Sequence, residues 1–79
     1  MNDIPWDKIV LSEFRYLACL TELEDKILQD WADGKSPVKS SMDRNVSERT
    51  VGEMRLRIRK KYDAVQPYSP LLPKRETDN

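Results

Sequence analysis

The chain has 79 residues, 38% hydrophobic and 35% charged, with 14 basic and 14 acidic side chains and a formal net charge of zero. That length gives one domain whose small core must use every apolar helix face. One cysteine and no histidine exclude a disulfide framework and a zinc site, and no apolar run approaches the roughly 20 residues that span a bilayer.

Met1 to Ile4 carries an acid and no basic stretch, which does not fit a secretory signal. Cys19 lies in the apolar stretch Tyr16 to Leu20 and reads as a small buried thiol. A reducing cytoplasm suits these features. Gly34 and Gly52 are the only glycines, too few for a phosphate-cradling loop, and β-branched alternation is absent. The expected fold class is all-α, with no cofactor.

The zero net charge hides an asymmetry. Met1 to Gly34 holds three basic and eight acidic residues, a net of −5. Lys35 to Lys61 holds nine basic and three acidic, a net of +6, and the remainder nets −1. A strong dipole of this kind bears on partners rather than on fold.

Pro5 and Trp6 open the first predicted helix, about 5–19, because proline is tolerated in a first helical turn. Trp6, Ile9, Val10, Phe14 and Leu17 recur at helical spacing. Thr21 with Glu24 three residues on forms a capping box for a second helix, about 22–33. Its stripe is Leu23, Ile27, Leu28 and Trp31, and Gly34 stops it in the left-handed conformation. Trp31 reads as core rather than as a base-stacking platform. Trp6 is expected to cover the core edge or a partner surface.

Ser36 and Pro37 start a short third helix, about 37–44, with Val38, Ser41 and Met42 on its inner face and Asn45 as the left-handed turn residue. Ser47 caps a fourth, about 47–65, with the stripe Val51, Met54, Ile58, Tyr62 and Val65. Gln66-Pro67 stops it. The domain is expected over 1–66. Residues 67–79 form a proline-rich tail, partly disordered, whose last six or so residues are loose and whose Tyr68, Leu71 and Leu72 fold back on the body.

Two helices joined by a tight turn, the second rich in arginine, carry the functional expectation. With Val51, Met54, Ile58 and Tyr62 facing the core, the opposite face bears Arg49, Glu53, Leu56 and Lys60. Arginine forks onto guanine, glutamate accepts from cytosine, and an apolar side chain meets a thymine methyl. The base-contacting set is therefore Glu48, Arg49, Gly52, Glu53 and Leu56. The phosphate-contacting set is Lys35, Ser36, Lys39, Thr50, Arg55, Arg57, Arg59, Lys60 and Lys61, with Ser36 to Lys39 at a helix N-terminus rich in free donors. The alternative for the same residues is a solvated basic face with plain capping.

The segment Leu20-Thr21, Glu24, Ile27-Leu28, Gly34, Val46-Ser47, Thr50-Val51 and Arg59-Lys60-Lys61 resembles, in order and without gaps, the LuxR-type helix-turn-helix and its relative, region four of bacterial sigma factors. The resemblance implies a three-helical-bundle-like helix-turn-helix whose recognition helix starts at Ser47, with Ser36 to Lys39 supporting it on the backbone. That family usually places an isoleucine-alanine pair and a leucine where this chain has Ser40, Ser41 and Arg44. The expectation is that Val38 and Met42 pack instead, on a slightly rotated helix. Pro67, Pro70 and Pro73 disfavour the further dimerising helix of LuxR-type domains, and the extra N-terminal helix is similar to the layout of sigma region four.

The expected function is a sequence-specific duplex DNA-binding transcriptional regulator from a bacterium or phage, inserting residues 47–62 in the major groove. It is expected to pair as a homodimer through Trp6, Phe14, Tyr68, Leu71 and Leu72, without membrane or metal. The alternative is a protein-interaction module whose acidic N-terminal half engages RNA polymerase or another regulator. An enzyme is disfavoured: with no histidine the chain offers no activated nucleophile, and Glu22, Glu24 and Asp25 sit at a helix start, where acids favour the dipole.

Overall fold

Each helix begins where a short polar side chain can accept an otherwise unpaired backbone N–H. The computed structural model describes residues 4–75 and contains four α-helices and no strand among them. They are α1 (Lys8–Leu17), α2 (Glu22–Ala32), α3 (Pro37–Arg44) and α4 (Glu48–Val65), followed by a 3-10 turn, Gln66–Tyr68. No helix of the described residues is long and apolar enough to cross a membrane.

The caps of α2, α3 and α4 are those the sequence predicts. Thr21 Oγ1 accepts from Glu24 N at 3.2 Å while Glu24 Oε1 accepts from Thr21 N at 2.9 Å. Ser36 Oγ accepts from Lys39 N, and Ser47 Oγ from Thr50 N. Gly34 at φ 83° follows α2 and Asn45 at φ 58° follows α3, both in the left-handed region.

The first helix differs. Asp7, not Pro5, precedes its first turn, with its carboxylate accepting from Val10 N at 2.9 Å. The Pro5 carbonyl is used in a separate turn, accepting from Asp7 N. α1 also ends at Leu17, two residues early, so Cys19 leaves the helix and is exposed rather than buried.

Helix α4 touches α1, α2, α3 and the 3-10 turn, and its stripe Val51, Met54, Ile58 and Tyr62 is buried. Val10 and Phe14 from α1, Ile27 and Leu28 from α2, and Ile4 and Leu72 from outside the helices complete the core. Burying side chains of this size contributes about 1.5–3 kcal/mol each. Trp6, half-buried, packs against Phe14, Trp31 and Tyr62 with ring centroids 5.3, 5.6 and 5.8 Å away. Ile9, expected on the inner stripe of α1, is 63% exposed.

The interface of α2 with α3 departs furthest from expectation. Val38 and Met42 face outward, and Ser40 and Ser41 take the inner positions. What fills the apolar gap is a carboxylate. Asp30, whose side chain is 1% exposed, accepts from Ser40 Oγ at 2.7 Å and from Arg44 Nε and Nη2 at 2.9 and 2.6 Å. Lys35 Nζ lies 3.4 Å from Asp30 and 3.0 Å from Asp43. The Arg44 guanidinium holds the Asp30 carboxyl well below the usual carboxylate range, outweighing the burial that pushes the other way.

The segment after α4 folds back on the body as the sequence predicts, but through Leu72 alone of the three apolar residues expected to do so, since Tyr68 and Leu71 stay exposed. Leu72 is buried, Gln66 Nε2 donates to the Leu72 carbonyl, and the Tyr62 hydroxyl donates to the Pro73 carbonyl. Ser69 Oγ donates to Glu13 on α1, and Arg75 grips both oxygens of Asp63. The rest of the expectation for the last residues falls on 76–79, outside the described residues.

Candidate nucleic-acid interface

The core stripe of α4 fixes where its other side chains point. Arg49, Glu53, Leu56 and Lys60, spaced by four, three and four residues, fall on one line opposite Val51, Met54, Ile58 and Tyr62, and all four are exposed. Glu48, Gly52 and Arg57 flank that line and are exposed as well. Leu56 is 50% exposed, and the side chain of Arg49 is 89% exposed with Glu53 3.4 Å away. The whole base-contacting set predicted from sequence is thus brought onto one accessible face. At 1.5 Å per residue the 18-residue helix is about 27 Å long.

Gly52 stands on that face in mid-helix. A Cβ added there meets nothing within 4 Å. A glycine in an exposed helix interior costs about 1 kcal/mol relative to alanine. No contact inside the described protein accounts for it.

The phosphate-contacting set divides. Arg57, Lys60, Lys39 and Ser36 are exposed. Thr50 is half-buried, its hydroxyl 3.0 Å from the cap hydroxyl of Ser47. Four others turn toward the protein, contrary to the expectation of an outward basic ridge. Lys61 Nζ donates to Glu24 Oε1 and to the Cys19 carbonyl, both at 2.6 Å, closing the link between α1 and α2. Burial works to raise the Glu24 carboxyl, but the Lys61 ammonium and the Thr21 backbone N–H outweigh it and hold it below its ordinary value. Lys35 belongs to the Asp30 and Asp43 pairing described above.

Arg55 and Arg59 lie over the Trp31 ring, with Cζ 4.7 and 4.8 Å from its centroid. Arg55 Nη2 also donates to the Lys35 carbonyl at 2.9 Å. This bond sets the entry to α3 beside the middle of α4. Lys35 is held by acids five and eight positions away, whereas Arg55, Arg59 and Lys61 are held by residues 20 or more positions away, and a reading of α4 alone cannot detect that. The one available signal was the acidic excess of the first half, which offered α4 internal partners.

The expected dimer surface is also revised. Phe14 and Leu72 are 0% and 2% exposed and are core residues. Tyr68 and Leu71 remain exposed, and Leu71 joins Ile9 and Tyr16 along an open groove on α1. Among the described residues no group of three or more acidic or cysteine side chains is placed to hold a metal ion.

The described residues are all-α, with one outward face combining basic side chains, an acid and a leucine on the longest helix. No family model, no curated protein and no solved structure matches the chain.

Proposed function

We propose that the chain is a helix-turn-helix domain that binds duplex DNA and acts as a transcriptional regulator, with α4 lying in the major groove. The observation that carries this reading is the exposed line Arg49, Glu53, Leu56 and Lys60, with Arg57 beside it, on a helix whose opposite face is fully used by the core. A single α-helix fits the major groove, and arginine, glutamate and leucine match guanine, cytosine and thymine edges. Gly52 supports the same reading, since a close approach by a partner explains a glycine that the body itself does not use. The cap of α3, Ser36, and the adjacent Lys39 face solvent and suit a strand phosphate. Pairing of two copies would supply area that one small module lacks, and Tyr68 and Leu71 are the members of the expected contact set that remain accessible.

A second reading keeps the same fold for protein contact, with the acidic half engaging RNA polymerase. The exposed groove along Ile9, Tyr16 and Leu71 favours it. The two readings separate in one experiment: Arg49, Arg57 and Lys60 are replaced together by glutamate, and binding to duplex DNA is titrated against salt. None of the three holds the core, so the fold should be unchanged by circular dichroism. Wild-type binding that weakens steeply with salt, and is lost in the variant, supports the DNA reading. Equal binding of variant and wild type rejects it. Each lost phosphate contact flattens the salt slope by about 0.9.

A further inference from the structure

The outward line of α4 carries one side chain whose charge opposes a duplex. From Arg49 to Lys61 the sequence holds six basic residues and a single acid, Glu53. The body of the protein does not require that acid. Glu48, in the first turn of α4, favours the helix dipole, but that effect fades within a turn and Glu53 stands beyond it. The side chain of Glu53 is 57% exposed, and its ion partner among the described residues is Arg49, itself 89% exposed and 3.4 Å away. An exposed pair one turn apart contributes little to stability. We infer that Glu53 is the residue that makes binding selective: it calls for a cytosine at one position of the site and penalises duplexes that lack one there. The inference rests on the DNA-binding reading above and adds to it that the acid opposes binding wherever its base is missing.

A carboxylate carried into the major groove approaches phosphates on both sides and gives up water, and a hydrogen-bond donor must offset that cost. Cytosine presents its N4 amino group there. Guanine presents N7 and O6, and thymine O4, all acceptors. Adenine sets its N6 donor beside the N7 acceptor, which repels a second carboxylate oxygen. Cytosine is therefore the base a glutamate meets best, whereas the basic neighbours gain from the phosphates of any sequence. A glutamate is shorter than an arginine, so α4 must come close to the base edges for Glu53 to reach one. Gly52, exposed and next to it in the chain, leaves the adjoining surface bare.

Glutamine tests the idea sharply, because it keeps the shape without the charge and pairs with adenine N6 and N7. Duplex sites are selected from a random pool with wild type, Glu53→Gln, Glu53→Ala and Arg49→Gln. Affinity for each selected site and for random-sequence duplex is then titrated at one salt concentration. Arg49→Gln is the control that breaks the same ion pair from its other end.

The expected wild-type site has one fixed cytosine, and changing it weakens binding about tenfold. Glu53→Gln exchanges that cytosine for adenine, and Glu53→Ala leaves the position unread. Both variants bind random duplex about two- to fivefold more tightly than wild type, the scale of one like-charge contact in water. Arg49→Gln keeps the cytosine. Glu53 variants that select the wild-type site, or that tighten equally on selected and random duplex, overturn the inference while leaving DNA binding intact. So does a wild-type protein that binds every duplex alike, or an Arg49→Gln variant that loses the cytosine, which would make Glu53 a support for Arg49 and not a reader of the base. A wild-type protein with no affinity for duplex DNA removes both the reading and the inference.

Discussion

Replacing Arg44 by leucine isolates the polar pin between α2 and α3. Asp30 is buried, and Arg44 supplies two of its contacts, at 2.9 and 2.6 Å. Without Arg44 the carboxylate keeps Ser40 at 2.7 Å and Lys35 at 3.4 Å but loses its bidentate partner. Breaking a buried pair from one side destabilises by about 3–5 kcal/mol. Because Lys35 and Ser40 remain, and the Arg44 side chain is itself partly exposed, the lower end applies, about 3 kcal/mol. In a domain of this size that lowers Tm by roughly 12–24 °C. The apolar replacement of the whole group, Asp30→Leu with Ser40→Ala and Arg44→Leu, should instead be close to wild type or more stable, since no buried charge is left behind.

The pH dependence has a definite sign. The folded-state pKa of Asp30 is depressed below its ordinary value of 3.8. The pin's contribution is therefore fully present above about pH 4 and is lost as pH falls toward the depressed value. The gap between wild type and Arg44→Leu should be constant from pH 7 to 5 and narrow below pH 4. Urea unfolding followed by circular dichroism across that range measures it. A gap under about 1 kcal/mol at pH 7, or one that does not narrow in acid, would refute the account of Asp30 as a buried, paired anion.

Two further substitutions separate structural from partner-facing residues. Lys61→Met removes the cation that serves the buried Glu24 carboxylate and the Cys19 carbonyl. It should destabilise by about 2–4 kcal/mol yet leave the salt slope of duplex binding unchanged; a slope reduced by about one unit would show that Lys61 contacts a phosphate after all. Gly52→Ala should do the reverse, stabilising the free protein by about 0.5–1 kcal/mol because the added methyl meets open space, while weakening duplex binding where α4 approaches the groove. Thermal melts and affinity measured on one preparation test both effects, and an alanine variant that is more stable and binds as well as wild type removes the close-approach explanation.

The features legible in the chain alone are local ones. The capping residues Thr21, Ser36 and Ser47, the turn residues Gly34 and Asn45, and the buried stripe of α4 act within one helical turn or one periodic pattern, and all of them stand where the spacing predicts. So does the outward line Arg49, Glu53, Leu56 and Lys60, which follows by subtraction once the stripe is fixed. Asp7 is equally local, but Pro5 offers a competing helix start two residues earlier. Which charges face water depends instead on how the helices pack. Arg44 reaches Asp30 across 14 positions and Lys61 reaches Glu24 across 37, and Arg55 and Arg59 meet a ring on another helix. A long basic side chain has no inherent direction. Whether it projects as part of a ridge or folds back onto an acid or an aromatic face depends on what the packing of other helices brings within its reach.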